Sequence, residues 1–223
     1  MPSVADTAAA GDATLTARIL QLFALITVLS LAPGIAVMVT CFPFMITVLA
    51  ILRQGLGLQA SPPNMMLVSL ALFLSYFVME PVLTEVWALA IAPLVDGQID
   101  AATAYARGVP PLREFMEGRT DPATVGELAA AAPARAPLAP GDETPMALLV
   151  PAFMLSELSR AFTVGFMLFL PFVIIDLVVA SVLMSMGMMM VPPVVVSLPL
   201  KLAFFVVADG WSLVAGALVR GYG

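Results

Sequence analysis

Residues 172–211 read FVIIDLVVASVLMSMGMMMVPPVVVSLPLKLAFFVVADGW. The stretch is almost wholly apolar, but two consecutive prolines, Pro192 and Pro193, interrupt it. Neither can donate a backbone N–H, and Pro192 disfavours the α conformation at Val191, so a helix arriving through residues 184–190 is predicted to stop here. Backbone groups freed at membrane depth must be buried in protein or line a polar cavity. The break is therefore predicted to lie at a protein–protein contact or on a pore wall.

Methionine and charge are both concentrated around this break. Five methionines precede the prolines: Met184, Met186, Met188, Met189 and Met190. The apolar segments on either side carry five charged residues: Glu157, Arg160, Asp176, Lys201 and Asp209. Ions inside a membrane mark assembly contacts or function, so we expect each to find a partner. Glu157 and Arg160 can pair at i and i+3 on one helix face. Lys201 and Asp209 cannot meet on one straight helix, which leaves Asp176 as the nearest candidate for Lys201.

The composition excludes most classes of protein. Hydrophobic residues make up 61% of the chain and charged residues 11%, with a mean hydropathy of +1.06. Soluble domains carry about 25% charged residues, so the chain is predicted to be a polytopic membrane protein. Its single cysteine, Cys41, cannot form an intrachain disulfide, and the chain has no histidine to act as a base or metal ligand.

Sequence motifs typical of enzymes and of ligand-binding sites are also missing from the chain. It contains no catalytic, cofactor-binding or metal-binding signature, and the net charge of −6 comes without a block of lysine or arginine. We therefore expect that the chain is not an enzyme, needs no cofactor and has no nucleic-acid partner.

Four apolar runs organise the chain: 19–52, 65–95, 146–190 and 194–219. They predict an all-α fold of polytopic, membrane-associated helical hairpins with about four long, broken segments. The first run exceeds the ~20 residues that a span needs, so it must tilt, break or project beyond the membrane. Glu80 and Pro81 interrupt the second run as a kink or as the end of its embedded part, and the third is a helix pair or one long bent helix. The predicted parts are a polar N-terminal segment (1–18), a first helical hairpin (19–95), an acidic loop (96–145) and a second hairpin with a methionine-rich loop (146–223).

The segment 96–145 differs in character from the rest. It holds eight acidic residues and four arginines, which predicts a loop outside the membrane with a short helix or two and then a connector. Leu112, Phe115 and Met116 share one helical face, which is predicted to pack on the body of the protein or else to dock a secreted component. Arg53 lies in the short loop between the first and second apolar runs, which the positive-inside rule places in the cytoplasm. The acidic loop follows the second run and is therefore predicted to lie on the extracytoplasmic side.

Several motifs are specific enough to suggest a family. They are LRQGLG (52–57), ASPPN (60–64), LALFLSYFVM (70–79), LREFM (112–116), PAFMLSELSRAFTVGF (151–166), LPFVIIDLVVASVLM (170–184), MGMMMVPP (186–193), SLPLKL (197–202) and DGW (209–211). In order and spacing they resemble the FliP family of flagellar biosynthetic proteins, export-gate subunits of the type III secretion apparatus. The resemblance runs from about Leu22 to the C-terminus.

This resemblance implies a function, an assembly and a site. The chain would be a subunit of the flagellar type III protein export gate, forming the pore through which unfolded flagellar proteins cross the bacterial inner membrane in the flagellar basal body. It would form a homo-oligomer, a five-fold ring, together with FliQ- and FliR-like subunits, largely above the plane of the bilayer. Met188, Met189 and Met190 would form a gasket at its narrowest point.

The sequence departs from the family pattern in places. Glu80 stands where a small residue is usual, Ser159 stands where a basic residue is usual, and Phe44 also differs, so no family role is transferred to them. Residues 1–16 lack the basic region and short apolar core of a signal peptide, which the family often carries, so they are not predicted to be one.

One alternative belongs to a different functional class. Glu157, Asp176 and Asp209 are carboxylates in apolar segments, as expected for a proton- or ion-coupled membrane transporter. The chain shows no repeated half of the kind that many carriers have. Taken without the resemblance, the methionines could equally be flexible side chains that fill gaps in a core.

Overall fold

The computed structural model describes residues 18–23, 26–27, 30–31, 34–58, 61–131, 143–188 and 190–222. The chain divides into two compact units between Met38 and Val39. In the first unit every described residue is helical. The predicted polar segment 1–18 lies outside the described residues except for Arg18.

The second unit is entirely helical in its regular structure over the described residues. In chain order its elements are α1 (Phe42–Gly55), α2 (Asn64–Val86), a π-helical segment (Trp87–Ile91), α3 (Ala92–Val95), α4 (Ala101–Glu117), α5 (Pro122–Ala131), α6 (Met146–Ser185), α7 (Pro193–Val207) and α8 (Gly210–Arg220). The predicted all-α class is confirmed.

Two helical stretches in the described part of the chain are long and apolar enough to cross a membrane. One is α2 with its continuation, Asn64–Val95, and the other is α6, whose 40 residues extend over ~60 Å, about twice the hydrocarbon thickness. The helices α7 and α8 could together form a third span, but they are bent by 63°. The third apolar run is therefore one long helix and not a pair, with Pro151 and Pro171 inside it.

The first two apolar runs differ in structure around their prolines. The first run breaks at residues 39–41, just before α1, where Pro43 lies in the first helical turn and its missing N–H is not needed. Its other interruption, Pro33, lies outside the described residues. The second run continues as helix through Pro81, and Glu80 is exposed on the surface of the chain.

Helix α1 supplies the centre of the core and packs mainly against α6 and α2. Four residues at helical spacing form its buried face: Met45, Val48, Leu49 and Leu52. The contact with α6 is close because Gly165 presents no side chain to α1. A Cβ atom at Gly165 would lie 2.5 Å from Cδ1 of Ile51 and 3.1 Å from its Cβ. The glycine therefore sets the distance between the two helices.

This close approach predicts opposite effects for two glycine-to-alanine changes in helices. Gly165→Ala should destabilise the chain by about 1–3 kcal/mol, because Ile51 and its helix must move to admit the methyl group. Gly126→Ala in α5 meets nothing within 4 Å and should be neutral or stabilising, since alanine favours a helix over glycine. Thermal unfolding of both variants in detergent measures the difference. A Gly165→Ala variant as stable as Gly126→Ala would contradict the packing described here.

The acidic segment carries two helices, α4 and α5, as its composition predicted. The carboxylate of Asp100 caps α4 by accepting from the backbone N–H of Thr103 at 2.9 Å, a contact that lowers the pKa of Asp100. The predicted apolar face of α4 packs inward, with Met116 completely buried against Leu149 and Phe153 of α6. Of the two alternatives for this face, packing on the body of the protein is confirmed.

Candidate gate loop and its ion pairs

The methionine-rich loop begins five residues earlier than the prolines would require. Helix α6 ends at Ser185, and Gly187 follows in the left-handed conformation with φ of 75°. The N–H of Met188 donates to the carbonyl of Leu183 at 3.0 Å, and the N–H of Gly187 donates to that of Met184 at 3.0 Å. This pair of bonds is a Schellman motif, for which glycine is the favoured residue. Helix α6 therefore ends before it reaches Pro192 and Pro193, and the break between α6 and α7 includes Val191 and Pro192.

The two prolines instead begin the next helix. Pro192 is the extended N-cap residue of α7, with φ of −62° and ψ of 124°, and Pro193 is its first helical residue. A proline at this position loses nothing, because the first N–H groups of a helix have no intrahelical acceptor. The loop is thus closed by a glycine on one side and by prolines on the other.

The methionines of this loop point away from the chain that carries them. Met190 is 97% exposed, Met188 is 42% exposed, and Met184 and Met186 are exposed as well. Met189 lies outside the described residues. Other methionines, such as Met45, Met79 and Met116, are buried and do fill the core. Core packing within one chain therefore does not account for Met188 or Met190.

An ion pair fastens the two helices that flank the loop. Nζ of Lys201 in α7 lies 2.6 Å from Oδ2 of Asp176 in α6 and donates to the carbonyl of Gly55, the last residue of α1, at 3.1 Å. Lys201 is only 5% exposed. The pair lies nine residues before the end of α6 and eight after the start of α7, which is ~12–14 Å from the loop. The predicted partnership of Lys201 with Asp176 is confirmed, and it joins three helices.

A second ion cluster lies near the other end of α6. The fully buried Glu157 accepts from Nη1 of Arg160 at 3.2 Å, which confirms the predicted pair, and from Nε of Arg119 at 3.3 Å. Its second oxygen accepts from the hydroxyl of Tyr222. Burial and the Glu157 carboxylate raise the pKa of Tyr222, so the hydroxyl stays protonated and donates. The cluster connects α6 with the turn after α4 and with the residues that follow α8.

Sequence reasoning missed two members of this cluster. Arg119 lies in the segment predicted as an acidic loop, and Tyr222 lies two residues after α8. The guanidinium of Arg119 stacks over the Tyr222 ring at 3.9 Å, and Phe44 packs edge to face against the same ring at 5.3 Å between centroids. The available signal was indirect: a carboxylate buried as deeply as Glu157 needs more donors than Arg160 alone can supply.

Asp209 does not behave as a buried charge. It is exposed and stands at the 63° bend between α7 and α8, with φ of 49° and ψ of 48°. Aspartate is one of the few residues that tolerate this left-handed conformation, and Gly210 follows because a Cβ there would lie 2.2 Å from the Phe205 ring. Within this chain Asp209 is therefore not buried, and the fourth run forms two helices, α7 and α8, that meet at this bend.

The comparison with protein families settles the resemblance. The family model for FliP matches residues 25–218, which include both ion pairs of α6 and the methionine-rich loop. The chain belongs to the FliP family. Membership in the FliP family supports the prediction that the chain is not an enzyme, and no metal-binding group of acidic, cysteine or histidine side chains occurs within the described ranges.

Individual FliP proteins are similar over nearly the whole chain. The flagellar biosynthetic protein FliP of Caulobacter vibrioides is 49% identical over 210 residues, covering 94% of this chain and 79% of the relative. The FliP protein of Agrobacterium fabrum is 44% identical over 212 residues, covering 95% and 86%, and that of Bacillus subtilis is 45% identical over 202 residues, covering 91% of each. The apolar helices and this family together place the chain in the membrane-embedded flagellar apparatus.

Proposed function

We propose that this chain is a subunit of the flagellar type III protein export gate and lines the pore through which unfolded flagellar proteins cross the bacterial inner membrane. The observation that carries the proposal is the loop of exposed methionines between α6 and α7 in a chain of the FliP family. Exposed apolar side chains at a helix break need a covering partner in the assembled protein. Copies of the same loop around an axis would cover one another.

The physical properties of methionine suit such a gate. Its unbranched thioether side chain has three rotatable bonds and adapts to irregular surfaces. In the proposed homo-oligomer, a pentamer with FliQ- and FliR-like subunits, Met188, Met189 and Met190 of each copy would form a gasket. The ring would close on itself at rest and open around an unfolded polypeptide of any sequence.

The ion pair of Lys201 with Asp176 supports a rigid base beneath the methionine-rich loop. It holds α6 and α7 together at ~12–14 Å from the loop, and Gly55 ties both helices to α1. Movement would then be confined to the methionine side chains and the few residues around them. The charges serve assembly in this proposal, and they do not carry ions.

The placement of the chain in the membrane is part of the proposal. Arg53, whose Nη1 contacts the carbonyl of Pro62 at 3.4 Å and the side chain of Asn64, closes the loop on the cytoplasmic side. The acidic segment 96–145 lies on the opposite side of the inner membrane, between the hairpins 19–95 and 146–223. Because α6 is about twice as long as the hydrocarbon is thick, part of the assembly extends beyond the bilayer.

Replacing the proposed gasket residues tests the function. The triple variant Met188/Met189/Met190→Ala should leak small ions at rest, because volume is lost from every copy in the ring at once. Export of unfolded protein should persist, since a wider opening still admits a chain. Ion conductance of cells, measured beside secretion of a flagellar substrate, reports both effects.

The double variant Met65/Met66→Ala is a matched control for that test. Both residues are exposed methionines of α2, far from the loop in sequence, and their replacement should not cause a leak. Correctly assembled complexes of the triple variant that show no leak would contradict the gasket. The alternative function, a proton- or ion-coupled transporter, also predicts no ion leak in the triple methionine variant. It predicts in addition that Asp176→Asn abolishes transport.

A further inference from the structure

The ion cluster around Glu157 contains one more positive charge than negative charge. Arg119 and Arg160 both bind Glu157, and no other carboxylate in the described part of the chain forms an ion pair with either guanidinium. Nη2 of Arg119 is buried and has no hydrogen-bond partner. A buried guanidinium that is only partly satisfied is costly unless an anion reaches it. Nη1 of Arg119 donates to the carbonyl of Gly221 and Nη2 of Arg160 to that of Arg119, but neither contact supplies a negative charge. The cluster therefore carries an excess positive charge beside one unsatisfied donor.

Both arginines line the polar end of a groove with a volume of about 140 Å³. From Arg160 the groove follows Val164 and Leu168, one and two turns further along α6, so it extends over ~12 Å. The remaining walls come from Phe44 of α1, from the apolar residues Val214, Ala217 and Leu218 of α8, and from Gly221 just after α8. The groove thus has two cations at one end and a continuous apolar surface along the rest.

The shape and lining of the groove restrict what can occupy it. A helix is ~10 Å across with its side chains and is too wide for this volume. An extended polypeptide would bring backbone N–H and C=O groups that the apolar walls of α6 and α8 could not satisfy. A hydrocarbon chain with one anionic head matches both ends, because a phosphate can accept from two guanidiniums while the tail stays among apolar side chains.

We propose that this groove binds an anionic phospholipid, with its phosphate on Arg119 and Arg160 and an acyl chain along Val164 and Leu168. The side chain of Arg160 is 40% exposed, so a headgroup can reach it from the membrane interface. The lipid would balance the excess positive charge and contact α1, α6 and α8 together. This binding depends on the membrane location of the chain and not on its role in the export gate.

Lipid binding to the full-length chain in detergent tests the proposal. We expect dioleoyl phosphatidylglycerol to bind, as followed by native mass spectrometry, and dioleoyl phosphatidylcholine to bind more weakly. Arg160→Gln should weaken phosphatidylglycerol binding about fivefold and leave phosphatidylcholine unchanged. The matched control is Arg107→Gln, an exposed arginine of α4 without an ion pair among the described residues, which should not alter binding.

A second variant separates lipid binding from folding. Ala217→Trp fills the groove without changing any charge, and it should also remove phosphatidylglycerol binding. If Arg160→Gln fails to fold, the Ala217→Trp variant tests lipid binding in its place. Equal binding of both lipids, equal loss in Arg107→Gln, or inorganic phosphate that binds as tightly as the lipid would overturn the proposal. So would a photo-crosslinking residue at position 164 that captures a polypeptide in membranes, because the occupant would then be protein.

Discussion

Replacement of Glu157 by alanine is expected to destabilise the folded chain by about 3 kcal/mol, the lower end of the range for buried pairs, because it leaves the half-buried cations Arg119 and Arg160 without their carboxylate. Arg119 would lose the acceptor of its Nε, and the Tyr222 hydroxyl would lose its acceptor as well. The level of folded protein in membranes should fall sharply, and thermal unfolding in detergent should occur at a lower temperature.

The chain contains a suitable control for this substitution. Glu117 pairs with Arg113 at 3.3 Å, but its side chain is 45% exposed. Exposed pairs of this kind contribute less than about 1 kcal/mol, so Glu117→Ala should be almost silent. If Glu157→Ala and Glu117→Ala lowered stability equally, the buried cluster would have no special role in the fold.

The second large effect is expected at Lys201. Lys201→Met approximately preserves the length of the side chain but removes its charge. Asp176 is then unpaired beside α7, and the Gly55 carbonyl loses its donor. We expect a loss of about 3 kcal/mol, the lower end of the range for buried pairs, because the Asp176 side chain is 40% exposed and water compensates in part. Disruption of the proposed oligomer, seen on native gels, should accompany the loss of stability.

A double substitution distinguishes the loss of the ion-pair partner from the loss of side-chain packing at Lys201. Lys201→Met combined with Asp176→Leu replaces the pair with apolar side chains and should recover much of the stability, as buried pairs replaced in this way often do. Asp209→Asn, at the exposed bend, should be nearly neutral since asparagine also tolerates the left-handed conformation. A double variant no more stable than Lys201→Met alone would show that the charge of Lys201 has another partner.

Pairings within the apolar runs could be predicted from the sequence because few charges compete there. Lys201 had a small set of possible partners in the surrounding apolar segments, and Glu157 had Arg160 one turn away. The role of Arg119 could not be predicted, because a cation in an acidic segment is ordinarily solvated. Its distance of 38 residues from Glu157 along the chain gives no indication that they meet.

Helix ends were harder to predict than helix existence. The two prolines seemed to mark the end of α6, but Gly187 ends it first, because a left-handed glycine satisfies the last carbonyls and a proline cannot. The dipeptide Asp209–Gly210 is a recognised turn signal, and it lies at the bend between α7 and α8. Conversely, Pro171 left open whether the third run was one helix or two, because helices in apolar surroundings tolerate prolines that neighbouring groups compensate.

In the hairpin between α6 and α7, the residues that fix the backbone turn differ from those whose side chains form its exposed surface. Gly187, Pro192 and Pro193 determine where the chain turns, and the hydrogen bonds described at the end of α6 join backbone groups only. The fold of the turn therefore does not depend on the side chains of Met188 and Met190. We expect that substitutions at these positions can alter the width and chemistry of the proposed opening while the helices beneath it keep the same fold.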